Sequence, residues 1–374
     1  MSQPTLIHVA LVLFVAVVAS PRFAYGQSVG SPSGVEWQRL AEAAKVEGKL
    51  AVSIPPSAEF RKGIEETFGK RFGISLELVP ARGAALITRI VEEHKAGVSH
   101  FDLHIGGTES IVKGFLPENI IEPVEPWFVL PEVKETKNWW GGHIWMDNAK
   151  RFIYSFAAYQ TESLWHNTEV VKPAEFRSFD DLLNPKWQAK IGINDPRTPG
   201  SGASMWSYMR VIKGEAFLKN LVAQKLFITR DVRLLADNTA KGQLGISIGI
   251  AYADFLPFLK AGLPVKPLPR PKEGMYVTTG YGSLTIIKNA PHPNATKLFV
   301  NWFLSKEGQE VYTAGMGEPT RRLDVETTWL KKTGISAVKD TMNIEEFYKR
   351  ENQSEDKVYK VREPGAELAR KLLD

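Results

Sequence analysis

The sequence predicts an α/β protein of two lobes, each a mostly parallel sheet flanked by helices, and three observations predict it. Short apolar runs alternate with stretches whose apolar residues recur at helical spacing. The strand-like runs end in loops of small residues. Late in the chain Pro264, Pro267, Pro269 and Pro271 mark an extended segment that reads as a return crossing between lobes, followed by one more strand. A length of 374 residues fits two such units, and 43% hydrophobic composition is ample for their cores.

Residues 50–54 read as a strand, Pro55-Pro56-Ser57 as a turn, and Phe60, Ile64 and Phe68 as the inner face of a helix capped by Ser57. The unit then repeats. A strand over 74–79 leads through Ala81-Arg82-Gly83 to a helix with Leu86, Ile90 and Val91 inside, and a strand over 101–105 leads through Gly106-Gly107-Thr108 to a helix beginning near Glu109. In an open parallel sheet, ligands sit in the loops at the carboxyl ends of the strands, so these three loops converge on one rim.

Residues 117–147 are irregular and rich in Pro and Trp. Strands follow over 152–158, 190–194 and 245–250, separated by helical stretches that make a second α/β lobe, and residues 284–287 supply the strand after the crossing. The expected division is a leader over 1–26, a first lobe from 35–155 with 275–374, and a second lobe from 156–274. Leu298, Phe299, Trp302 and Phe303 stripe one helix, and the charged tail beyond Leu323 reads as helical surface packing.

Leu6 opens an apolar run, interrupted only by His8, that is short for a bilayer span and is followed by Pro21 and the small-residue pattern Ala24-Tyr25-Gly26. This is the pattern of a cleaved export signal, with the mature chain starting at Gln27. No Lys or Arg precedes Arg22, which leaves an uncleaved anchor as the alternative. The chain has no cysteine, which excludes disulfides, thiolate metal sites, a cysteine nucleophile and an acylated amino-terminal cysteine. Its formal charge of +5 is small against 47 basic and 42 acidic side chains, and no basic run of nucleic-acid type appears.

The segment from Lys190 to Tyr208 joins a short apolar strand to a helix through Gly200-Ser201-Gly202, with Met205, Met209 and Ile212 on one helix face. The first amides of such a helix have no intrahelical partner, and with the positive end of the helix dipole they seat a phosphate, phosphonate or carboxylate. Three other patterns compete for a function. Gly245-Ile246-Ser247-Ile248-Gly249 satisfies the hydrolase motif around a serine nucleophile, but alternating isoleucines run through it as a buried strand. His100, Asp102 and His104 alternate along one strand as zinc ligands would, or as groups satisfied within the sheet. Trp139, Trp140, His143 and Trp145 serve either a ligand or the packing where lobes join.

Several ordered motifs suggest a family. Trp165-His166-Asn167-Thr168, Asp181-Leu182-Leu183-Asn184-Pro185-Lys186-Trp187, Asp195-Pro196-Arg197-Thr198, and Ala290-Pro291-His292-Pro293-Asn294-Ala295 through Leu304-Ser305-Lys306-Glu307-Gly308-Gln309 resemble extracellular solute-binding proteins of ABC importers, in the branch labelled ferric-iron-type. Ala81-Arg82-Gly83-Ala84 and Ile105-Gly106-Gly107 are similar to the same branch, so the likeness runs from about residue 36 to 323. It implies a type II periplasmic-binding fold that closes by hinge motion on a small solute. It also implies a monomer in the periplasm, serving an inner-membrane permease and its ATPase, with no catalytic residue, cofactor, resident metal or nucleic acid.

On that reading the first lobe offers Ser53, Ser57, Arg82, Gly107 and Thr108 to the solute. The second offers Thr198, Ser201, Gly202, Ala203 and Tyr252. Helix amides and hydroxyls hold an anion, Arg82 adds charge, and Tyr252 donates a hydrogen bond or stacks. Ferric relatives use a tandem tyrosine, whereas Tyr252 stands between Ala251 and Ala253. The resemblance therefore supports import of an anion-bearing solute such as a phosphonate or organic acid. Ferric-iron binding and a Ser247 hydrolase are the alternatives.

Overall fold

The computed structural model describes residues 32–80 and 84–374, so the expected leader over 1–26 and the candidate Arg82 lie outside the described residues. The chain enters the first sheet as β1 (Lys49–Ile54), β2 (Ser75–Pro80), β3 (Leu103–Gly106), β4 (Ile121–Glu122), β5 (Ile144–Trp145) and β6 (Tyr154–Ser155). It leaves through β7 (Tyr159–Thr161) and builds the second sheet from β8 (Leu164–Asn167), β9 (Ile191–Asn194), β10 (Phe227–Thr229), β11 (Ile246–Ile248) and β12 (Val265–Pro267). It then returns to the first sheet as β13 (Ser283–Ile287), and β14 (Ile335–Ala337) pairs with β7.

The first sheet has the order β2-β1-β3-β13-β6-β5 with β4 also on β13, and the second the order β10-β9-β11-β8-β12. Each is parallel only across three strands, β2-β1-β3 and β10-β9-β11. The remaining strands pair antiparallel; β8 and β13 do so where the chain enters each sheet from a crossing. The expected mostly parallel sheets are thus mixed.

Apolar side chains fill both faces of the first sheet. Phe60, Phe68, Phe299 and Trp302 pack on one face, and Ile90, Phe101, Ile111 and Phe115 on the other. The second sheet is sandwiched in the same way by Met205, Trp206 and Leu218 and by Leu235, Phe255 and Val265.

Three expectations change. The apolar run 152–158 holds only the short β6, because Phe156 N–H donates to Gly282 O at 2.9 Å and the chain turns out of the first sheet into the crossing. The run reflects burial on all sides rather than strand length; Phe156, Ala157 and Ala158 are fully buried. Next, the proline-rich segment is not the crossing but an edge strand, β12 on β8, where a missing N–H costs nothing. The crossing lies further on, where Tyr159 and Thr278 exchange backbone hydrogen bonds of 2.9 Å. Finally, the tail is more than surface packing. Val338, Phe347 and Val358 are fully buried against the first lobe, and Leu368 and Ala369 join the second-lobe core, away from the lobe to which 275–374 was assigned.

Candidate functional site

On the second lobe, β9 and β11 end side by side beneath the amino terminus of the Ser201–Lys213 helix. The approach is close enough to need glycine. A Cβ on Gly202 would fall 1.9 Å from the carbonyl oxygen of Asn194, and one on Gly249 would fall 2.5 Å from Gly202 Cα at a backbone φ of +75°. Gly200 is the N-cap, so Ser201 is the first helical residue rather than the cap. Its hydroxyl donates to Gly249 O at 2.6 Å, which ties the helix start to the end of β11 and leaves the oxygen lone pairs available. By helix geometry the first-turn amides, Gly202 and Ala203 among them, lack intrahelical acceptors.

Thr198 lies on the same rim, half-buried, with its hydroxyl donating to Asp195 O at 3.3 Å. Asp195 is buried and grips Arg197 through Nε and Nη2 at 2.9 and 3.0 Å and Arg230 at 3.2 Å. Burial alone would raise the Asp195 carboxyl, but the hydrogen bonds from Arg197 and Arg230 outweigh it and hold the group below the usual carboxylate range. Tyr252 opens the Tyr252–Lys260 helix just past β11 and is half-buried, its ring 6.2 Å from that of Trp165, which stacks on Phe255 at 4.5 Å. The structure therefore brings all five second-lobe candidates to one edge.

The first-lobe candidates fare differently. Ser53 is fully enclosed, its hydroxyl sharing a 2.8 Å hydrogen bond with His104 Nδ1, so it offers no free group. Thr108 is also fully buried and bonds the hydroxyls of Thr279 and Ser283 at 3.0 and 2.6 Å, fixing its helix to the crossing. Ser57 caps the Ala58–Ile64 helix and donates to Gly315 O at 2.7 Å. Gly107 is half-buried and faces Gly280 O across the crossing, 3.7 Å from where its Cβ would lie.

Sequence reasoning missed two features. Glu318 is buried beside Gly280, accepting from Tyr312 Oη at 2.5 Å and Tyr281 N–H at 3.1 Å, and burial pushes its carboxyl up despite these donors. Arg362, from the tail, joins the lobes. Its Nε and Nη2 donate to Glu109 at 3.1 and 2.6 Å, and its Nη1 donates to Ser204 Oγ at 2.8 Å. Glu109 was visible as a charge in a helix's first turn, but nothing marked Arg362 among the many cations of the tail.

The competing motifs resolve into structure. His100 bonds Glu77 at 2.7 Å, Asp102 accepts from Ala51 N–H and from the backbone and ring of His292, and His104 holds Ser53, so the three face separate partners. No group of three or more His, Asp or Glu that could hold a metal ion occurs among the described residues. Burial pushes His104 down to about 3, which keeps it neutral. Ser247 sits mid-strand in β11, fully buried, with its hydroxyl bonded to no group among the described residues and no sharp turn to expose it. Trp139 is buried edge-on to Tyr154 with the Arg321 and Arg322 guanidiniums 5.8 and 5.6 Å from its ring, and Trp145 packs on the same tyrosine. Trp139 and Tyr154 are core, and Trp145 packs half-buried against them.

Two mixed sheets joined by paired crossings, with helix starts facing one another between them, are the architecture of a hinged binding protein. A family model described as bacterial extracellular solute-binding protein matches residues 51–310. The chain belongs to that family. Its members bind small molecules for ABC importers rather than catalyse reactions, so this solute-binding protein serves a membrane permease as the capture component.

A Haemophilus influenzae protein described as uncharacterized is 24% identical over 288 residues, 73% of this chain and 77% of that one. Among solved structures, iron-bound HitA from Pseudomonas aeruginosa superposes with a TM-score of 0.63 at 17% identity, covering 87% of this chain and 99% of its own. The periplasmic binding protein AfuA from Actinobacillus pleuropneumoniae, with exogenous fructose-6-phosphate bound, gives 0.62 at 18% identity, covering 86% and 99%. These likenesses make the fold the two-lobed type II periplasmic-binding fold.

Proposed function

We propose that this solute-binding protein captures a small anion-bearing solute between its lobes and seats the anion on the amino terminus of the Ser201–Lys213 helix. The observation that carries the reading is the close-packed Gly202, held between Asn194 O and Gly249, which fixes the helix start and its unpaired first amides at the ends of β9 and β11. On this reading Ser201, Ala203, Thr198 and Tyr252 belong to that seat, and Gly107 and Ser57 are the remaining first-lobe candidates for the opposite rim. The bound fructose-6-phosphate of AfuA makes a phosphate-bearing organic solute the first class to test.

On this reading the protein works as a monomer without catalysis. It reaches the periplasm by losing residues 1–26, and it hands its solute to a permease driven by an ATPase. Arg82 adds charge from the loop after β2. The ferric alternative is weakened by the single phenol at Tyr252. Ferric citrate should therefore produce no intense visible tyrosinate band, and such a band would overturn the preference for an organic anion.

Native mass spectrometry of freshly purified protein tests the function directly. A retained small acid, or thermal stabilisation by sugar phosphates, phosphonates or organic acids, supports the reading. Stabilisation by none of them, with turnover of a chromogenic ester instead, would replace it with a hydrolase.

A further inference from the structure

The tail of the chain embraces both crossings and ends on the lobe opposite the one it first touches. β14 pairs with β7, Glu351 bridges to Val277, and Gln353 Oε1 accepts from Thr279 N–H at 2.7 Å and from the hydroxyls of Thr278 and Thr279 at 3.1 and 2.7 Å. Asn352 Nδ2 then donates to Ser204 O at 3.1 Å. From Glu355 to Leu373 the chain is one helical run. Its first half lies on the Thr108–Gly114 helix of the first lobe, where Tyr359 Oη donates to Val112 O at 3.5 Å and Lys113 pairs with Glu363 at 3.4 Å. Its second half lies on the second lobe, where Gly365 O accepts from Trp206 Nε1 at 2.9 Å and Arg197 pairs with Asp374 at 2.5 Å.

Arg362 occupies the midpoint of this run, with 2% of its side chain exposed against 14% for Glu109. Its two partners stand in the first turns of the two helices that face each other across the lobes. A buried ion pair of this kind nearly balances its desolvation against Coulomb attraction and hydrogen bonding, so in the intact protein it leaves closure finely poised. Removing one partner breaks that balance, because the closed form then traps an uncompensated charge while the open form hydrates it.

We propose that the tail is an interlobe latch and that Arg362 is its positioning residue. Arg362 holds the starts of the Thr108–Gly114 and Ser201–Lys213 helices at the separation a bound solute needs, without touching the solute. A share of the empty protein is thereby closed, and solute binding shifts a population that already exists. The inference rests on the two-lobed capture reading given above.

Since the chain has no cysteine, one label pair can report lobe separation without background. Glu59→Cys on the first lobe and Arg233→Cys on the second, both exposed, would carry spin labels. Distances are then read by pulsed electron resonance on protein unfolded, dialysed and refolded to strip any solute. The unaltered latch should give a short-distance component. Arg362→Ala should raise the open-to-closed ratio by about tenfold or more, and Arg362→Lys should recover part of the short component. Where Arg362→Ala lowers folding yield, Glu109→Gln, which keeps the side-chain size, carries the same expectation. Identical distance distributions in the parent and in either folded variant would overturn the latch. Because solute-free protein is measured, stabilisation by none of the candidate anions, with ester turnover instead, would sink the proposed function and leave this result standing.

Discussion

The two rims of the cleft are built from the same residue types and use them in opposite ways. On the first lobe, the hydroxyls of Ser53 and Thr108 are fully buried and bonded to His104, Thr279 and Ser283. On the second lobe, Ser201, Thr198 and Tyr252 stay half-buried around a helix start that Gly202 presses against two strand ends. The difference teaches that a small polar residue at a strand end is a weak guide to ligand contact until its hydrogen is accounted for. The first rim spends its hydroxyls inside the fold, whereas on the proposed reading the second offers amides and lone pairs.

The largest effect that would break this contrast belongs to Gly202. Gly202→Val places a side chain onto the Asn194 carbonyl, so it should cost about 3 kcal/mol of stability and abolish solute binding, read by urea unfolding and calorimetry. A stable, binding-competent variant would mean that the helix start is not held where the seat requires it.

The same substitution at each rim sharpens the comparison. Ser53→Ala leaves His104 Nδ1 without its partner inside the sheet and should cost about 1–3 kcal/mol of stability with affinity unchanged. Ser201→Ala should do the reverse, weakening binding of the retained solute roughly tenfold, the scale of a hydrogen bond to a charged group, with only a small loss of melting temperature. Exchange of these two outcomes would move the ligand surface to the first lobe.

The smallest effect is a pH signature of opposite sign at two buried carboxyls. Asp195 is held below its ordinary 3.8, so its contribution is full above that value and is lost as pH falls through the lower folded value. Glu318 is held above its ordinary 4.5, so its contribution is full below that value and is lost as pH rises through the higher folded value. Asp195→Asn should therefore flatten the stability profile on the acid side of about pH 4, and Glu318→Gln should flatten it above about pH 4.5. Urea unfolding at a series of pH values reads both.

Much of the fold was legible because its signals are local. Ile191 and Ile193 alternate as a strand, Ser57 caps a helix as its type suggests, and Met205 and Met209 face the core at helical spacing. Residues 152–158 misled because complete burial and β-structure produce the same apolar run, and the prolines at 264–271 misled because an edge strand tolerates them as well as a crossing does. Of the site, the Gly200-Ser201-Gly202 start was readable from glycine spacing. The engagement of Ser53 was not, since its partner lies 51 residues away, and the Arg362 bridge depends on a contact across 253 residues that no local pattern encodes.

Hydrogen exchange resolved to single amides, comparing protein with its retained solute and protein stripped of it by unfolding and refolding, bears most directly on the anion seat. The account predicts strong protection by the solute at Gly202 and Ala203, whose amides have no intrahelical acceptor, with little change at Ser204, which already donates to Gly200 O at 3.0 Å, or at Ser53 and Thr108. Protection confined to the first-lobe rim, or a solute that leaves the Gly202 and Ala203 amides exchanging as fast as in the stripped protein, would contradict it.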